Sequence, residues 1–378
     1  MKKEPNIIIA GGKTGGHLFP GIAVAQSLGR ILEQTGHNAN ILFVGTNAPF
    51  ETQTLEKYGY PHKAIFSKPI KGSNPLYKAF SMSIILISLI QSMIIMKSFK
   101  PDFVLGIGGF SSFAVVLAAW LFRIPTAIQE QNAFPGLTNR LLSKFTGTIF
   151  TSFKETKGFA NNPKVNYVGN PVRKTDYVKS YDNLNLKHFN PDKFTFLVTG
   201  GSQGAKSINT AFMDALELMA NTDKFNIIHQ TGINDEAKIL QRYSRLKINA
   251  TVKAFFHNMP QLQIIADLVV TRAGAGTISE LCLRGLPGIL VPFPHAADDH
   301  QTFNAKALEE QGAAVMIKDK DLTGQSLKKR IEDLLKNKER LDHMSQMLKQ
   351  LALPDADEKI ANHILETKGI LETKDIKG

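Results

Sequence analysis

Four glycine clusters, GGKTGG (11–16), GIGGF (106–110), GGSQGA (200–205) and RAGAGT (272–277), each close a short apolar run. A glycine turn between a strand and a helix gathers backbone N–H groups and the positive end of the helix dipole at one point, where they stabilise a phosphate. One such cluster alone is weak evidence, since it can be a tight turn and nothing more. His17 follows the first cluster directly. An imidazole with an ordinary pKa of about 6.5 is suited to moving a proton near neutrality. Two familiar phosphate sites are excluded. The dinucleotide fingerprint needs G-x-G-x-x-G and an acid after the second strand. Neither GGKTGGH nor GGSQGA fits it, and NILFVGTN ends its strand on Gly45 and Thr46. The Walker pattern G-x-x-x-x-G-K-[ST] is absent as well, so NAD, FAD and P-loop chemistry are not expected.

The elements that would position these clusters alternate in kind. Strands are expected at 6–10, 40–45, 62–66, 103–107, 125–129 and 147–152, with helical stretches such as 20–36 between them. The rhythm repeats at 194–201, 226–232, 251–256, 267–274 and 288–293, with a helix over 207–221. Alternating strands and helices make βαβ units and a parallel sheet. The two halves open alike, IIIAGGKTGG against FLVTGGSQGA. The expected fold class is α/β, two Rossmann-like domains facing each other across a cleft, with parallel sheets flanked by helices. The polar stretch 169–193 marks the boundary, giving domains 1–175 and 176–354. A helix over 355–370, behind Pro354, would pack back on the first domain.

With 378 residues, 43% of them hydrophobic, each half can bury its own core. A single cysteine, Cys282, excludes a disulfide framework and a multi-cysteine metal site and implies a reducing compartment. The opening MKKEPNIIIAGG reads as a strand and not as a signal peptide. The net charge of +12 sits in one half: residues 1–175 carry 19 Lys and Arg against 7 Asp and Glu, and residues 176–378 carry 26 of each. A basic half implies an anionic partner (nucleic acid, an acidic membrane surface or a phosphorylated substrate) or serves solubility only. The segment 79–96 has 18 residues and no charge, but Ser81, Ser83, Ser88, Gln91 and Ser92 interrupt it. A membrane span, a buried core helix and a helix with a membrane-facing apolar side all remain open. Lys68, Lys71 and Lys78 precede it and Lys97 and Lys100 follow, a rim that anionic headgroups would attract.

In chain order, GGKTGGHLFPG, GIGGFSS, EQNAFPGLTNR (130–140), GNPVR (169–173), GGSQGA and RAGAGTISE resemble the MurG family of two-Rossmann-domain (GT-B) glycosyltransferases. By motif the resemblance runs from Ile7 to about Ala305. It implies a hexosyltransferase that moves N-acetylglucosamine from UDP-GlcNAc to the undecaprenyl-diphosphate-linked N-acetylmuramyl pentapeptide, lipid I, during peptidoglycan synthesis. The enzyme would sit at the cytoplasmic face of the inner membrane as a peripheral protein, with no nucleic-acid partner. Donor-contact positions carried over are Arg173, Ser202, Gln203, Gly204, Ala275, Gly276, Thr277, Glu280 and Gln301. Thr14, Gly15, Gly16 and Asn132 are counted with them, although the first glycine loop also takes the acceptor diphosphate. Glu280 would accept two hydrogen bonds from the vicinal hydroxyls of the ribose. Gly108, Gly109, Phe110 and Asn139 belong to the acceptor side, and Lys68, Lys71, Lys78, Ile84, Ile85 and Leu89 to the membrane. Lys13 stands where the family often has glycine, and His300 where a second glutamine is common.

Inversion at the anomeric carbon needs a base on the acceptor hydroxyl and a stabilised UDP leaving group. His17 is the first candidate, its alternative being to position the phosphate; Glu130 is the rival. The strings DKD (319–321) and DAD (355–357) look like metal-binding motifs but read as solvated acids. No metal or other cofactor is expected, so a helix N-terminus and Arg173 would offset the diphosphate charge. A diacylglycerol glycosyltransferase or a UDP-GlcNAc epimerase of the same fold would share much of this pattern. A non-catalytic sugar-nucleotide binder would leave His17 and Glu130 without a task.

Overall fold

A computed structural model describes residues 4–12, 14–67, 75–172, 184, 186, 189–367 and 369, with the side chains of 75–82 excepted. The chain divides into two units, 1–174 with 353–378, and 175–352.

The first unit runs β1 (Asn6–Ala10), α1 (Gly15–Gln34), β2 (Asn40–Gly45), α2 (Pro49–Lys57), β3 (His62–Ala64), α3 (Pro75–Phe99), β4 (Phe103–Gly106), α4 (Phe110–Leu121), β5 (Thr126–Glu130), α5 (Leu137–Leu142), β6 (Thr148–Thr151) and β7 (Val165–Tyr167). Its strands form one parallel sheet in the order β3-β2-β1-β4-β5-β6-β7. Ile8 of β1 lies between Leu42 of β2 and Val104 of β4. Helices cover both faces of such a sheet, so its strands are apolar throughout instead of alternating. Ile7, Ile8 and Ile9 are accordingly all fully buried. Leu18, Ile22, Ala25, Leu28 and Leu32 repeat at helical spacing and bury one stripe of α1 against one face of the sheet. Gly36, with φ +72°, ends that helix by donating its N–H to the Glu33 carbonyl, as a left-handed cap does. Ala114, Val115 and Ala118 of α4 and Ile95 and Met96 of α3 fill the other face.

The second unit contains β8 (Phe194–Thr199), α6 (Lys206–Leu218), β9 (Phe225–Gln230), α7 (Glu236–Leu246), β10 (Thr251–Lys253), α8 (Met259–Ile265), β11 (Leu268–Thr271), α9 (Ala275–Arg284), β12 (Gly288–Leu290), α10 (His300–Glu309), β13 (Ala314–Met316), α11 (Gly324–Leu335) and α12 (Lys338–Leu351). Its parallel sheet has the order β10-β9-β8-β11-β12-β13. The final helix, α13 (Ala356–Thr367), belongs to the first unit, where Ile360, Ala361, Ile364 and Leu365 are buried with α1. Asp357 of α13 is 2% exposed and accepts from Ser27 Oγ and, at 3.2 Å, from Arg30. The acids of the DAD string are therefore not all solvated: Asp357 is buried because a hydroxyl and a guanidinium of α1 meet it.

Two sequence expectations shift. Helix α1 begins at Gly15 and not at Pro20, so His17 lies on its first turn and not on the preceding loop. Pro20 sits inside the helix, where it removes one N–H donor. The three-residue strands β7 and β13 were not expected.

Candidate functional site

In each sheet the strand order reverses beside the first strand, between β1 and β4 and between β8 and β11. Loops leaving the C-terminal ends of such neighbours run in opposite directions and open a crevice, where ligands of open α/β sheets bind. The four glycine clusters are the four loops at these two points.

In the first unit the two loops touch. A Cβ on Gly11, with φ +117°, would come within 2.1 Å of the Gly108 carbonyl oxygen. One on Gly108, with φ +92°, would come within 2.9 Å of Nδ1 of His17. Only glycine permits this approach. Thr14 and Gly109 are the N-caps of α1 and α4, and neither helix receives a side-chain cap. Gly15, Gly16 and the first residues of α4 therefore keep orphan N–H donors. Thr14 and Gly16 are exposed, and so is Phe110 at the first position of α4.

His17 is half-buried, its ring resting on Gly108 and its Nδ1 3.0 Å from Oε1 of Gln131. Gln131 comes from the EQN motif at the end of β5, two strands from β1. The same motif places Glu130 differently from the expectation for a base. Glu130 is 1% exposed. Its Oε1 accepts from the N–H of Asn132 at 3.0 Å and from Asn132 Nδ2 at 3.1 Å. Its Oε2 accepts from the N–H of Gly136 at 3.2 Å and from Asn139 Nδ2 at 2.8 Å. Burial pushes the carboxyl pKa up, against the pull of these four donors. A carboxylate whose oxygens are engaged in this way holds the loop 130–139 in shape and does not offer a lone pair to a substrate. Asn139, expected as an acceptor ligand or an orienting residue, has the geometry of the second: it is 2% exposed and gives its amide hydrogens to Glu130 and to the Gln129 carbonyl. Asn132 stays half-buried at the loop surface.

In the second unit the GGSQGA loop leaves Ser202 and Gln203 exposed. A Cβ on Gly204 would come within 2.0 Å of the Thr231 carbonyl oxygen, so this loop lies against the one after β9. Gln230 ties the two by donating to Thr199 Oγ1 at 3.1 Å and to the Gly201 carbonyl at 3.0 Å. Helix α9 starts at Ala275 behind Gly274 without a side-chain cap, which leaves the N–H groups of Ala275, Gly276 and Thr277 as orphan donors. Glu280 is half-buried on the next turn and accepts from Gln263 Nε2 at 2.9 Å. Gln301 accepts from the N–H groups of Ala273 at 3.2 Å and Phe293 at 3.0 Å. Its oxygen is thus committed to the scaffold, and its amide hydrogens are left for a ligand. His300 Nδ1 donates to the Ala297 carbonyl at 2.7 Å.

One residue the sequence reading missed is Arg272. It donates to the Val291 and Pro292 carbonyls, each at 3.2 Å, to Asp319 at 2.5 Å and to Ser207 Oγ at 3.0 Å. This one guanidinium joins the ends of β11 and β12 to the first turn of α6. The signal was an arginine directly after an apolar strand, a position where an unpaired charge would be costly. Asp319 is correspondingly an ion-pair partner and not a solvated acid. Two other reactive residue types are inert. His229 is fully buried between Tyr243 and Asn209, and desolvation lowers its pKa to about 3. Burial raises the Cys282 thiol to about 12. Among the described residues no group of three or more His, Cys, Asp or Glu could hold a metal ion.

Arg173, Lys13, Lys68 and Lys71 lie outside the described residues, as does the side chain of Lys78. On α3 the expected membrane residues face largely inward. Ile84 is 5% exposed, Leu89 packs against the core and Ile85 is half-buried. Leu86, Ile87, Ile90 and Ile94 are the exposed ones, at 45–61%. Two of the serines that interrupt the apolar run point the other way: Ser88 and Ser92 are buried and donate to the carbonyls of Ile84 at 2.8 Å and Ser88 at 2.7 Å. Local backbone bonding removes the cost of burying these hydroxyls. Among the described residues no helix is long and apolar enough to cross a membrane.

Comparison with known proteins agrees with this layout. Residues 7–151 match the glycosyltransferase family 28 N-terminal domain, and residues 195–360 match the family 28 C-terminal domain. A Myxococcus xanthus relative, named UDP-N-acetylglucosamine--N-acetylmuramyl-(pentapeptide) pyrophosphoryl-undecaprenol N-acetylglucosamine transferase, is 40% identical over 94% of this chain and 91% of its own. The crystal structure of Acinetobacter baumannii MurG superposes with a TM-score of 0.77 at 29% identity, covering 96% of this chain and 99% of that one. A UDP-GlcNAc 2-epimerase from Neisseria meningitidis shares the fold alone, with a TM-score of 0.64 at 15% identity over 96% of this chain and 100% of its own. With two matched domains spanning most of its length and relatives of this identity, the chain belongs to glycosyltransferase family 28, the GT-B enzymes that include MurG.

Proposed function

We propose that the chain transfers N-acetylglucosamine from UDP-GlcNAc to the 4-hydroxyl of the N-acetylmuramyl group of lipid I, giving lipid II with inversion at the anomeric carbon. The name shared by its 40%-identical relatives supports this reaction. The observation that carries the chemistry is His17 on the first turn of α1, its ring against Gly108 where two glycine loops meet. A diphosphate held by the orphan N–H groups of α1 and α4 brings its sugar beside that ring. His17 takes the proton of the attacking hydroxyl as the glycosidic bond to UDP breaks. The N–H groups of Ala275, Gly276 and Thr277 on the second unit meet the charge on the leaving diphosphate, and the resemblance adds Arg173 to them. Glu280, steadied by Gln263, accepts from the ribose hydroxyls, and Gln301 donates to the sugar. No metal takes part in this scheme, so activity should survive EDTA.

The basic charge of residues 1–175 and the exposed apolar stripe Leu86, Ile87, Ile90 and Ile94 support peripheral binding to an anionic membrane surface, where the acceptor resides. Incubation with radiolabelled UDP-GlcNAc and lipid I, diacylglycerol or no acceptor tests the reading. Label should enter the lipid I product alone. Glycosylated diacylglycerol, or epimerised sugar nucleotide without an acceptor, would overturn it.

A further inference from the structure

Gln131 is 1% exposed and wedged between His17 and the backbone. Its Nε2 donates to the Ile107 carbonyl at 2.9 Å and also to Gln129 Oε1. Gln129 in turn spends its own amide nitrogen on Ser152 Oγ and Asn170 Oδ1, each at 3.2 Å, which aims its oxygen at Gln131. Both partners of Gln131 Nε2 are acceptors, so the amide cannot be reversed without setting oxygen against oxygen. Its Oε1 must then face His17 Nδ1, 3.0 Å away. An amide oxygen only accepts, so Nδ1 carries the proton and, in the neutral ring, Nε2 carries the lone pair.

We propose that Gln131 is a positioning residue that holds His17 in its Nδ1–H tautomer, making Nε2 the nitrogen that accepts the acceptor-hydroxyl proton. The inference rests on His17 as the base, and the test separates the two. The full-length chain labelled with 15N-histidine has ten histidines, and His17→Ala identifies the ring in question. At about pH 8, above the ordinary imidazole pKa of about 6.5, long-range proton–nitrogen correlations should show Nδ1 protonated and Nε2 bare. Gln131→Met removes the acceptor. The two tautomers should then mix, and kcat should fall about 10- to 100-fold, less than the roughly 10²–10⁴-fold that outright loss of a general base costs, while the donor KM holds. Gln131→Glu keeps an acceptor in place and should keep the Nδ1–H signal, a readout that does not depend on the methionine variant folding. A wild-type ring protonated on Nε2 overturns the proposal. So does a folded Gln131→Met variant that retains both the Nδ1–H signal and wild-type kcat. If the tautomer is as stated but His17→Ala retains kcat, the base reading fails, and with it the role given to Nε2, while the tautomer assignment stands.

Discussion

Gly108→Ala should displace the His17 ring. Gly108 has φ +92°, where an L-residue is strained, and the new methyl would stand 2.9 Å from Nδ1 and 3.0 Å from Cε1 of His17. Carbon and nitrogen in contact sit about 3.5 Å apart, so the ring must move by roughly half an ångström and the 3.0 Å bond to Gln131 lengthens or breaks. The backbone term costs about 1–2 kcal/mol and the hydrogen bond about 1 kcal/mol. At about 2–4 °C per kcal/mol for a unit of this size, Tm should fall by about 4–12 °C. Gly59→Ala is the control, because Gly59 has φ +73° and nothing within 4 Å of its absent Cβ. It carries the backbone term alone and should leave kcat untouched. In Gly108→Ala, kcat should drop about 10- to 100-fold, the range for a displaced general base, while the donor KM, set by loops of the other unit, stays put. Thermal melting and initial rates with lipid I measure all of this. A Gly108→Ala enzyme with wild-type kcat, and a Tm no lower than that of the control, would refute the reasoning.

Glu280→Ala should raise the UDP-GlcNAc KM about 10- to 100-fold, since losing the hydrogen bonding to this charged group costs about 1.5–3 kcal/mol; an unchanged KM removes Glu280 from the ribose site. Replacing Lys68, Lys71 and Lys78 by Glu should weaken binding to anionic liposomes at low salt by about 1 kcal/mol per residue, with activity on a short-chain soluble acceptor kept. His229 is neutral when folded, with a pKa of about 3, and titrates at its ordinary value when unfolded. The unfolded chain therefore binds the extra proton between those values, and stability is lost as pH falls from about 6.5 toward about 3, by about 1 kcal/mol per pH unit. Denaturant unfolding of His229→Gln should show a shallower acid slope. Glu130→Gln should lower Tm but spare kcat per folded molecule. All four partners of Glu130 are donors, and the new amide would turn N–H groups against two of them. An unchanged Tm with kcat abolished would return Glu130 to the chemistry.

What the sequence revealed were the features that local chemistry writes into it. Continuous β-branched runs such as IIIA announce strands buried on both faces, and the glycine clusters mark where the central strands end. It was less informative wherever a partner brought up by the fold changes what a residue type means. Glu130 looked like a base because a lone carboxylate in a motif invites that reading; only the return of Asn132, Gly136 and Asn139 onto it makes it a loop clamp. Ser88 and Ser92 read only as interruptions of an apolar run, yet they bond to their own backbone and face inward while Leu86, Ile90 and Ile94 face out. Asp319 and Asp357 read as solvated until Arg272 and Arg30, distant in sequence, are placed beside them. In each case the missing information was an acceptor–donor pair closed by the fold.

The two units also show how one topology is given two chemistries. Both sheets reverse order beside their first strand and offer the same uncapped helix N-termini there. Backbone donors alone would make the two sites equivalent anion holders. Aligning GGKTGGH with GGSQGAK puts His17 opposite Lys206. A lysine side chain is a compact point charge with three donors and no acceptor, so it adds attraction for phosphate. An imidazole at the same step can be neutral and basic, provided its proton is held on the far nitrogen, the role proposed for Gln131 at 3.0 Å. In the proposed scheme the proton-accepting role therefore falls to the first unit and the leaving-group role to the second. The difference lies in one residue after each glycine loop and the amide behind it, not in the sheets.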